Sequence, residues 1–283
     1  MNILKALSLA VLGTVLSVAG AQAQTKDWSK IKIATEGAYA PWNFQEGGKL
    51  VGFEVDLANE LCKRMKATCE VVAQDWDGII PALNAGKYDA IMAGMNITPK
   101  RMEAIQFSAP YAATPHGFGV LKSSPLAKLP GGDLRFNLAT DEAGAAKAAE
   151  AMKPLLKGKV IGAQVSTINA DFVNKYFKDV AEIREYKTTE QHDLDLAAGR
   201  LDAIFVGHGA LVATMDKPDF KDVTMAGPAF RGGLLGAGVG VGIRKADAEL
   251  KAKFDEAIKA TIADGTMKTL SMKWFKIDAV PQT

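Results

Sequence analysis

The chain has 283 residues, 34 lysine and arginine against 32 aspartate and glutamate, and a formal charge of +2 at neutral pH. Charge this balanced and interspersed leaves no electrostatic footprint for nucleic acid. The length suffices for one large or two medium lobes, each with its own core.

The first residues read as an export signal. Lys5 supplies a positive start, residues 6–20 form a short apolar run, and Ala21-Gln22-Ala23 is a small-residue cleavage site. Residues 1–23 are therefore expected to be removed, leaving a mature chain from Gln24 with a charge of +1, since Lys5 is the only charge lost. The apolar run is too short for a membrane anchor. In an exported chain Cys62 and Cys69, seven positions apart, can pair and close a small loop. A metal or redox site would want C-x-x-C or neighbouring histidines, and neither accompanies them.

Past the signal, Ile31-Lys-Ile-Ala reads as a first strand running into Thr35-Glu-Gly-Ala-Tyr-Ala-Pro-Trp-Asn-Phe. Gly47-Gly48 marks a turn, and a helix is predicted over 54–66 with Val55, Ala58, Leu61, Cys62 and Met65 as its buried stripe. Glu70-Val-Val-Ala is a second strand, followed by Trp76-Asp77 and a helix ending near Asn84. Residues 122–158, rich in Ala, Lys, Gly and Pro, read as a surface excursion with a short helix.

An internal echo organises the rest. Leu83-Asn-Ala-Gly-Lys-Tyr-Asp-Ala-Ile and Leu196-Ala-Ala-Gly-Arg-Leu-Asp-Ala-Ile agree at six of nine positions. In each copy a helix ends on a glycine and Asp-Ala-Ile enters a buried strand. Two copies this far apart predict two lobes of similar α/β wiring, with mixed, mostly parallel sheets covered by helices. Phe107-Ser-Ala-Pro-Tyr-Ala-Ala-Thr-Pro and the Gly-rich run from Ala226 to Gly242 flank a central block and predict a two-strand hinge between the lobes. The expected division is lobe I over 24–114 plus 232–283 and lobe II over 115–231.

The segments beginning at Thr35, Val51 (Val-Gly-Phe-Glu-Val-Asp-Leu-Ala-Asn-Glu-Leu-Cys), Trp76 (Trp-Asp-Gly-Ile-Ile-Pro-Ala-Leu) and Tyr88 (Tyr-Asp-Ala-Ile-Met-Ala-Gly-Met-Asn-Ile-Thr-Pro-Lys-Arg) resemble the polar amino-acid-binding family of periplasmic proteins. The likeness runs through the Cys62–Cys69 spacing to Ala263-Asp-Gly-Thr and Trp274-Phe, and is strongest to the lysine/arginine/ornithine, histidine, octopine and nopaline binders. It implies a two-lobed periplasmic-binding-protein clamshell, an exported monomer without cofactor or metal. Such a protein closes on an amino-acid or opine ligand and docks on an inner-membrane ABC permease.

The resemblance assigns roles that the residue chemistry supports. Arg101 follows Thr98, placed to cap a helix, and Pro99 at its first position, so its guanidinium can fork onto a carboxylate beside free backbone N–H groups. Tyr39 and Trp76 match the aromatic pair that sandwiches the ligand's side chain, and aromatic faces also attract cations. Glu36 matches the acidic position that meets a distal cation. Ala93, Gly94 and Asn96 stand where relatives carry a more serine-rich run. In lobe II, Gln164 and Thr167 match a strand-to-helix turn facing the ligand, with Ser166 as an alternative helix cap.

One position departs from the pattern. Where amino-acid binders place an Asp for the α-ammonium, this chain has Gly207. The opine branch also lacks that Asp, and opines carry a second carboxylate near the nitrogen. His116 and His208 then stand either as donors to that carboxylate or as packing at the hinge. A lyase of related fold is the competing class, but no nucleophile–base pair or metal cluster is visible. His192, on a helix, reads as a surface residue.

Overall fold

The computed structural model describes residues 26–281, so the export signal expected at 1–23 lies outside the described residues. In chain order the first half contains β1 (Lys30–Thr35), β2 (Ala38–Tyr39), β3 (Asn43–Glu46), β4 (Lys49–Val51), α1 (Phe53–Arg64), β5 (Thr68–Ala73), α2 (Ile79–Asn84), β6 (Ala90–Ile91), α3 (Pro99–Ala104) and β7 (Gln106–Phe107). Next come β8 (His116–Leu121), β9 (Arg135–Asn137), α4 (Glu142–Leu156), β10 (Val160–Gln164), α5 (Ile168–Phe177), β11 (Glu182–Tyr186), α6 (Thr189–Ala197), β12 (Ala203–Gly207), α7 (His208–Met215) and β13 (Val223–Arg231). The chain finishes with β14 (Gly242–Ile243), α8 (Ala248–Ala263) and α9 (Thr266–Phe275).

These strands build two lobes. One sheet runs β5-β1-β6-β14-β7 and the other β11-β10-β12-β8-β13-β9, with β2-β3-β4 as a small antiparallel sheet. Both large sheets are mixed. β5-β1-β6 and β11-β10-β12 are parallel, and antiparallel pairs arise at β8, β13 and β14, the strands that adjoin the crossings. Strands covered on both faces need continuous apolar sequence, and β12 (Ala-Ile-Phe-Val-Gly) is buried throughout.

The internal echo has a physical basis. Gly86 and Gly199 adopt φ of +78° and +70°, with open space around each, so left-handed backbone rather than room selects glycine. Each following aspartate then pins the neighbouring strand. Asp89 accepts from the Lys32 N–H at 3.0 Å, and Asp202 from the Val160 N–H at 2.9 Å.

The chain leaves the first sheet after Phe107, enters the second at His116, and returns between Arg231 and Gly242. The two crossings lie side by side. The Tyr111 N–H donates to the Val239 carbonyl, and the Val239 N–H to the Ala112 carbonyl, both at 2.8 Å. After the return, α8 and α9 close the first core, packing Leu250, Phe254 and Phe275 with Phe53, Leu57 and Leu61 of α1. The second core is aromatic, with Phe172 stacked on Phe205 at 4.4 Å. Each such buried ring contributes roughly 1.5–3 kcal/mol.

Three expectations are corrected. The buried face of α1 is Phe53, Glu54, Leu57, Ala58, Leu61 and Cys62, whereas Val55 and Met65 are half-buried. The stripe is rotated because a buried carboxylate, Glu54, lies on the inner face. Residues 122–158 are an integral part of the second lobe. The 15-residue α4 buries Ala145, Ala149, Met152 and Leu156, and β9 extends the sheet parallel to β13. Small alanines let α4 approach closely, which composition alone disguises as polarity. His192 is fully buried, edge-on to Tyr186 and 2.9 Å from Asp193. Cys62 and Cys69 form a disulfide between the end of α1 and the start of β5.

Candidate functional site

The carboxyl ends of the parallel strands from both lobes meet in a cleft, the position at which α/β sheets ordinarily bind ligands. Ten of the twelve residues expected at a site line it. From the first lobe these are Glu36 just past β1, Tyr39 on β2, Trp76, then Ala93, Gly94 and Asn96 past β6, and Arg101 on α3. From the second lobe they are His116, Gln164 and Thr167. Ile168 and Asn169, at the start of α5, line it too and were not foreseen. Their signal was present, since both follow the Thr167 cap on the turn already singled out.

Arg101 sits where local sequence dictates. The Thr98 hydroxyl accepts from the Arg101 N–H at 3.2 Å, and Pro99 occupies the first position of α3. The guanidinium donates to the Asn96 carbonyl at 2.8 Å and lies 5.1 Å over the Trp76 ring. Burial pushes it down to about 10, partly countered by Asp171, so it stays protonated at neutral pH. Among the described residues no carboxylate lies within ion-pair reach of it. That leaves a desolvated cation with free donors beside a helix start, suited to a carboxylate.

Glu36 carries the opposite charge. Gln164 Nε2 donates to its Oε1 at 2.6 Å, from one lobe to the other. Burial pushes the Glu36 carboxyl up to about 7, against the lowering effect of Gln164, with Glu54 and Asp75 adding repulsion. Two more bonds cross the cleft. Trp76 Nε1 donates to the Ser166 carbonyl at 3.3 Å, and the Thr189 hydroxyl to the Ala38 carbonyl at 3.3 Å. The structure is thus a closed form, whose cleft keeps about 30 Å³, room for a water or two. An amino-acid-sized ligand has to replace the Glu36–Gln164 contact and displace the lobes.

Thr167, rather than Ser166, caps α5. Its hydroxyl accepts from the Ala170 N–H at 3.2 Å and donates to the Gln164 carbonyl at 2.6 Å. Ser166 instead adopts φ of +59° in the turn before it.

His116 is buried and its Nδ1 lies 2.8 Å from Asn169 Oδ1. An amide oxygen accepts only, so the ring proton sits on Nδ1 and Nε2 is left as an acceptor. Burial pushes this ring down to about 4, with His208 lowering it further against the Asn169 bond. A donor role toward a carboxylate therefore does not fit the neutral ring. His208 is not on the cleft. It opens α7 and its ring packs over Gly117, leaving no room for a side chain there. Gly207 stands behind the cleft wall, next to the Tyr39 hydroxyl and His116.

A larger interlobe space of about 450 Å³ lies beside this cleft, between β2–β3 and α6–α7. Its buried acid, Asp193, is already engaged by the Thr214 hydroxyl at 2.7 Å, and its other charged lining residues, Glu190 and Lys217, are exposed. The smaller cleft is the candidate site because it holds Arg101 and Glu36 together. No group of three or more potential metal ligands occurs among the described residues.

Residues 31–277 match the family of bacterial extracellular solute-binding proteins, family 3. The chain belongs to that family. It is 48 % identical to the octopine-binding periplasmic protein of Rhizobium meliloti over 98 % of this chain and 99 % of the relative. It is 35 % identical to the histidine-binding periplasmic protein of Salmonella typhimurium over 88 % of each. Among solved structures it is similar to a periplasmic His/Glu/Gln/Arg/opine family-binding protein from Silicibacter pomeroyi in complex with lysine. That match has a TM-score of 0.71 and 35 % identity over 88 % of this chain and 99 % of the other. The two-lobed periplasmic-binding-protein fold and the solute-binding class follow, and the homologues named are periplasmic binders.

Proposed function

We propose that this protein is the periplasmic solute-binding component of an ABC importer for an opine-like or basic amino acid. One observation carries the reading: a single interlobe cleft presents an unpaired guanidinium, Arg101, and a buried acid, Glu36, while Gly207 supplies no counter-charge for an α-ammonium. Arg101 takes the ligand's carboxylate. Trp76 and Tyr39 flank its stem, Glu36 takes its distal cation, and Gln164 and Thr167 close from lobe II. Ala93, Gly94 and Asn96 supply the floor, and Gly207, behind the wall formed by Tyr39 and His116, puts no carboxylate against the ligand's nitrogen.

The signal is cut near Ala23, lobe I comprises 24–114 and 232–283, lobe II 115–231, and the monomer delivers its ligand to an inner-membrane permease. Binding rather than catalysis accounts for the acidic group, since Glu36 is explained by ligand charge and the imidazole of His116 is held by Asn169. The 48 % identity to an octopine binder supports the opine side of the reading. A thermal-shift screen followed by calorimetry with octopine, nopaline, arginine, lysine, ornithine and histidine tests it. Octopine or nopaline is expected to bind more tightly than free arginine. Tight arginine binding with no response to either opine removes the opine assignment.

A further inference from the structure

Glu54 is 1 % exposed, in the first turn of α1, and does not line the cleft. Its carboxylate nevertheless collects three separate donors. Asn43 Nδ2 reaches Oε2 at 2.6 Å, the Gly94 N–H is shared between the two oxygens at 2.7 and 2.9 Å, and the Tyr111 hydroxyl donates to Oε1. Asn43 is itself committed on its other side, accepting from the Gly37 N–H at 2.7 Å. Burial pushes the Glu54 carboxyl up, against the lowering effects of Tyr111, Gly94 and Asn43, and no cation among the described residues pairs with it.

Each of these contacts ends beside a ligand-facing group. Gly37 separates Glu36 from the Ala38–Tyr39 strand. Gly94, with φ of +60°, lies under the Tyr39 ring so closely that an added Cβ would sit 2.8 Å from Tyr39 Cε1. Tyr111 lies on the first crossing, five residues before His116. A buried carboxylate without a counter-cation is a poor device for stability alone, because an apolar side chain of similar volume avoids its desolvation. Its donor set explains its presence differently, because it ties three cleft segments to one rigid helix start.

We propose that Glu54 is a positioning residue for the ligand. Without touching it, Glu54 fixes the Glu36–Tyr39 segment, Gly94 and the first crossing strand in binding geometry. The inference rests on the reading of this cleft as the ligand site. Glu54→Gln keeps the shape but, whichever way its amide turns, sets an NH₂ against a donor-only group, Asn43 Nδ2 or the Gly94 N–H, since of the three partners only the Tyr111 hydroxyl can accept. In Glu54→Gln/Asn43→Asp the bonding pattern is restored with donor and acceptor exchanged, since the new amide donates to the new carboxylate, which still accepts from Gly37.

Two readouts decide it. Calorimetry with octopine and with arginine is expected to show affinity about tenfold or more weaker in Glu54→Gln, recovered in the double variant. Amide exchange of the ligand-free protein is expected to show Gly37 and Gly94 deprotected in the single variant, protected again in the double, with the α8–α9 helices unchanged. Wild-type affinity in a folded Glu54→Gln, or unaltered exchange at both glycines, overturns the proposal. If Glu54→Gln fails to fold, the double variant alone decides: folded and binding supports it, folded without binding overturns it. If the wild-type protein binds neither probe, the ligand reading fails, and the exchange of Gly37 and Gly94 still judges Glu54.

Discussion

Gln164 Nε2 donates to Glu36 Oε1 at 2.6 Å, so the acid proposed to meet the ligand's cation also bonds one lobe to the other. A cationic ligand has to win Glu36 from Gln164, and it does so best when Glu36 is ionised. Burial raises this carboxyl from 4.5 to about 7. The closed form therefore binds a proton that the open or unfolded form releases. Its stability from this group is present at low pH and falls as pH rises from about 4.5 to 7.

Ligand affinity runs the other way. For a cationic ligand it is expected to rise by up to about tenfold per pH unit below 7, then level off. Neither His116, neutral above about 4, nor Arg101, charged below about 10, changes state in that window. Calorimetry from pH 5 to 8 in buffers of different ionisation enthalpy checks this. Glu36→Gln is expected to flatten the profile, and a slope that persists in that variant counts against the assignment.

Arg101→Ala is expected to weaken ligand binding by at least about thirtyfold, the loss typical when one partner of a desolvated charge pair is truncated. The unliganded melting temperature should change little, because Arg101 bonds a backbone carbonyl and stacks on Trp76, leaving no buried acid unpaired. Arg101→Lys is expected to recover only part of the affinity, since a point charge cannot fork onto a carboxylate. Unchanged affinity in Arg101→Ala refutes the role.

Much of this site was legible because its parts are local. Thr98, Pro99 and Arg101 are a cap, a first position and a side chain on one short helix, all determined by neighbours in sequence. Gly86 and Gly199 likewise announce helix ends through backbone conformation. What stayed hidden depends on contacts between distant segments. Glu54 reads as an ordinary acid in a helix's first turn until Asn43, Gly94 and Tyr111 converge on it. His192 reads as exposed until α6 lays it against β10, where Gly162 leaves it space. His208 follows Gly207, which the family resemblance set beside the ligand, yet the start of α7 turns its ring onto Gly117.

Replacing both Cys62 and Cys69 by serine is expected to lower stability by about 2 kcal/mol, the value for so short a closed loop, and the melting temperature by roughly 5 °C. Ligand affinity is expected to stay within about twofold, because the bridge joins the end of α1 to the start of β5. The cleft lies at the opposite, carboxyl ends of these strands. Denaturation curves beside calorimetry separate the two effects, and a large affinity loss would show the bridge to be coupled to the site.

Gly207→Asp tests the ligand class most directly. The backbone there, with φ −60° and ψ 136°, suits any residue, so glycine is not needed for conformation. Space is what it provides. An added Cβ would sit 2.9 Å from the Tyr39 hydroxyl and 3.7 Å from His116 Cε1. An aspartate placed there offers a partner to a primary α-ammonium and confronts a second ligand carboxylate with like charge, a juxtaposition that costs several kcal/mol. Octopine affinity is expected to drop about a hundredfold or more, while arginine binds as well as before or better. Competition calorimetry with the two ligands reads the reversal. If octopine binds Gly207→Asp as it binds the wild type, the nitrogen substituent does not lie at this wall, and the space beside Gly207 serves only to seat Tyr39.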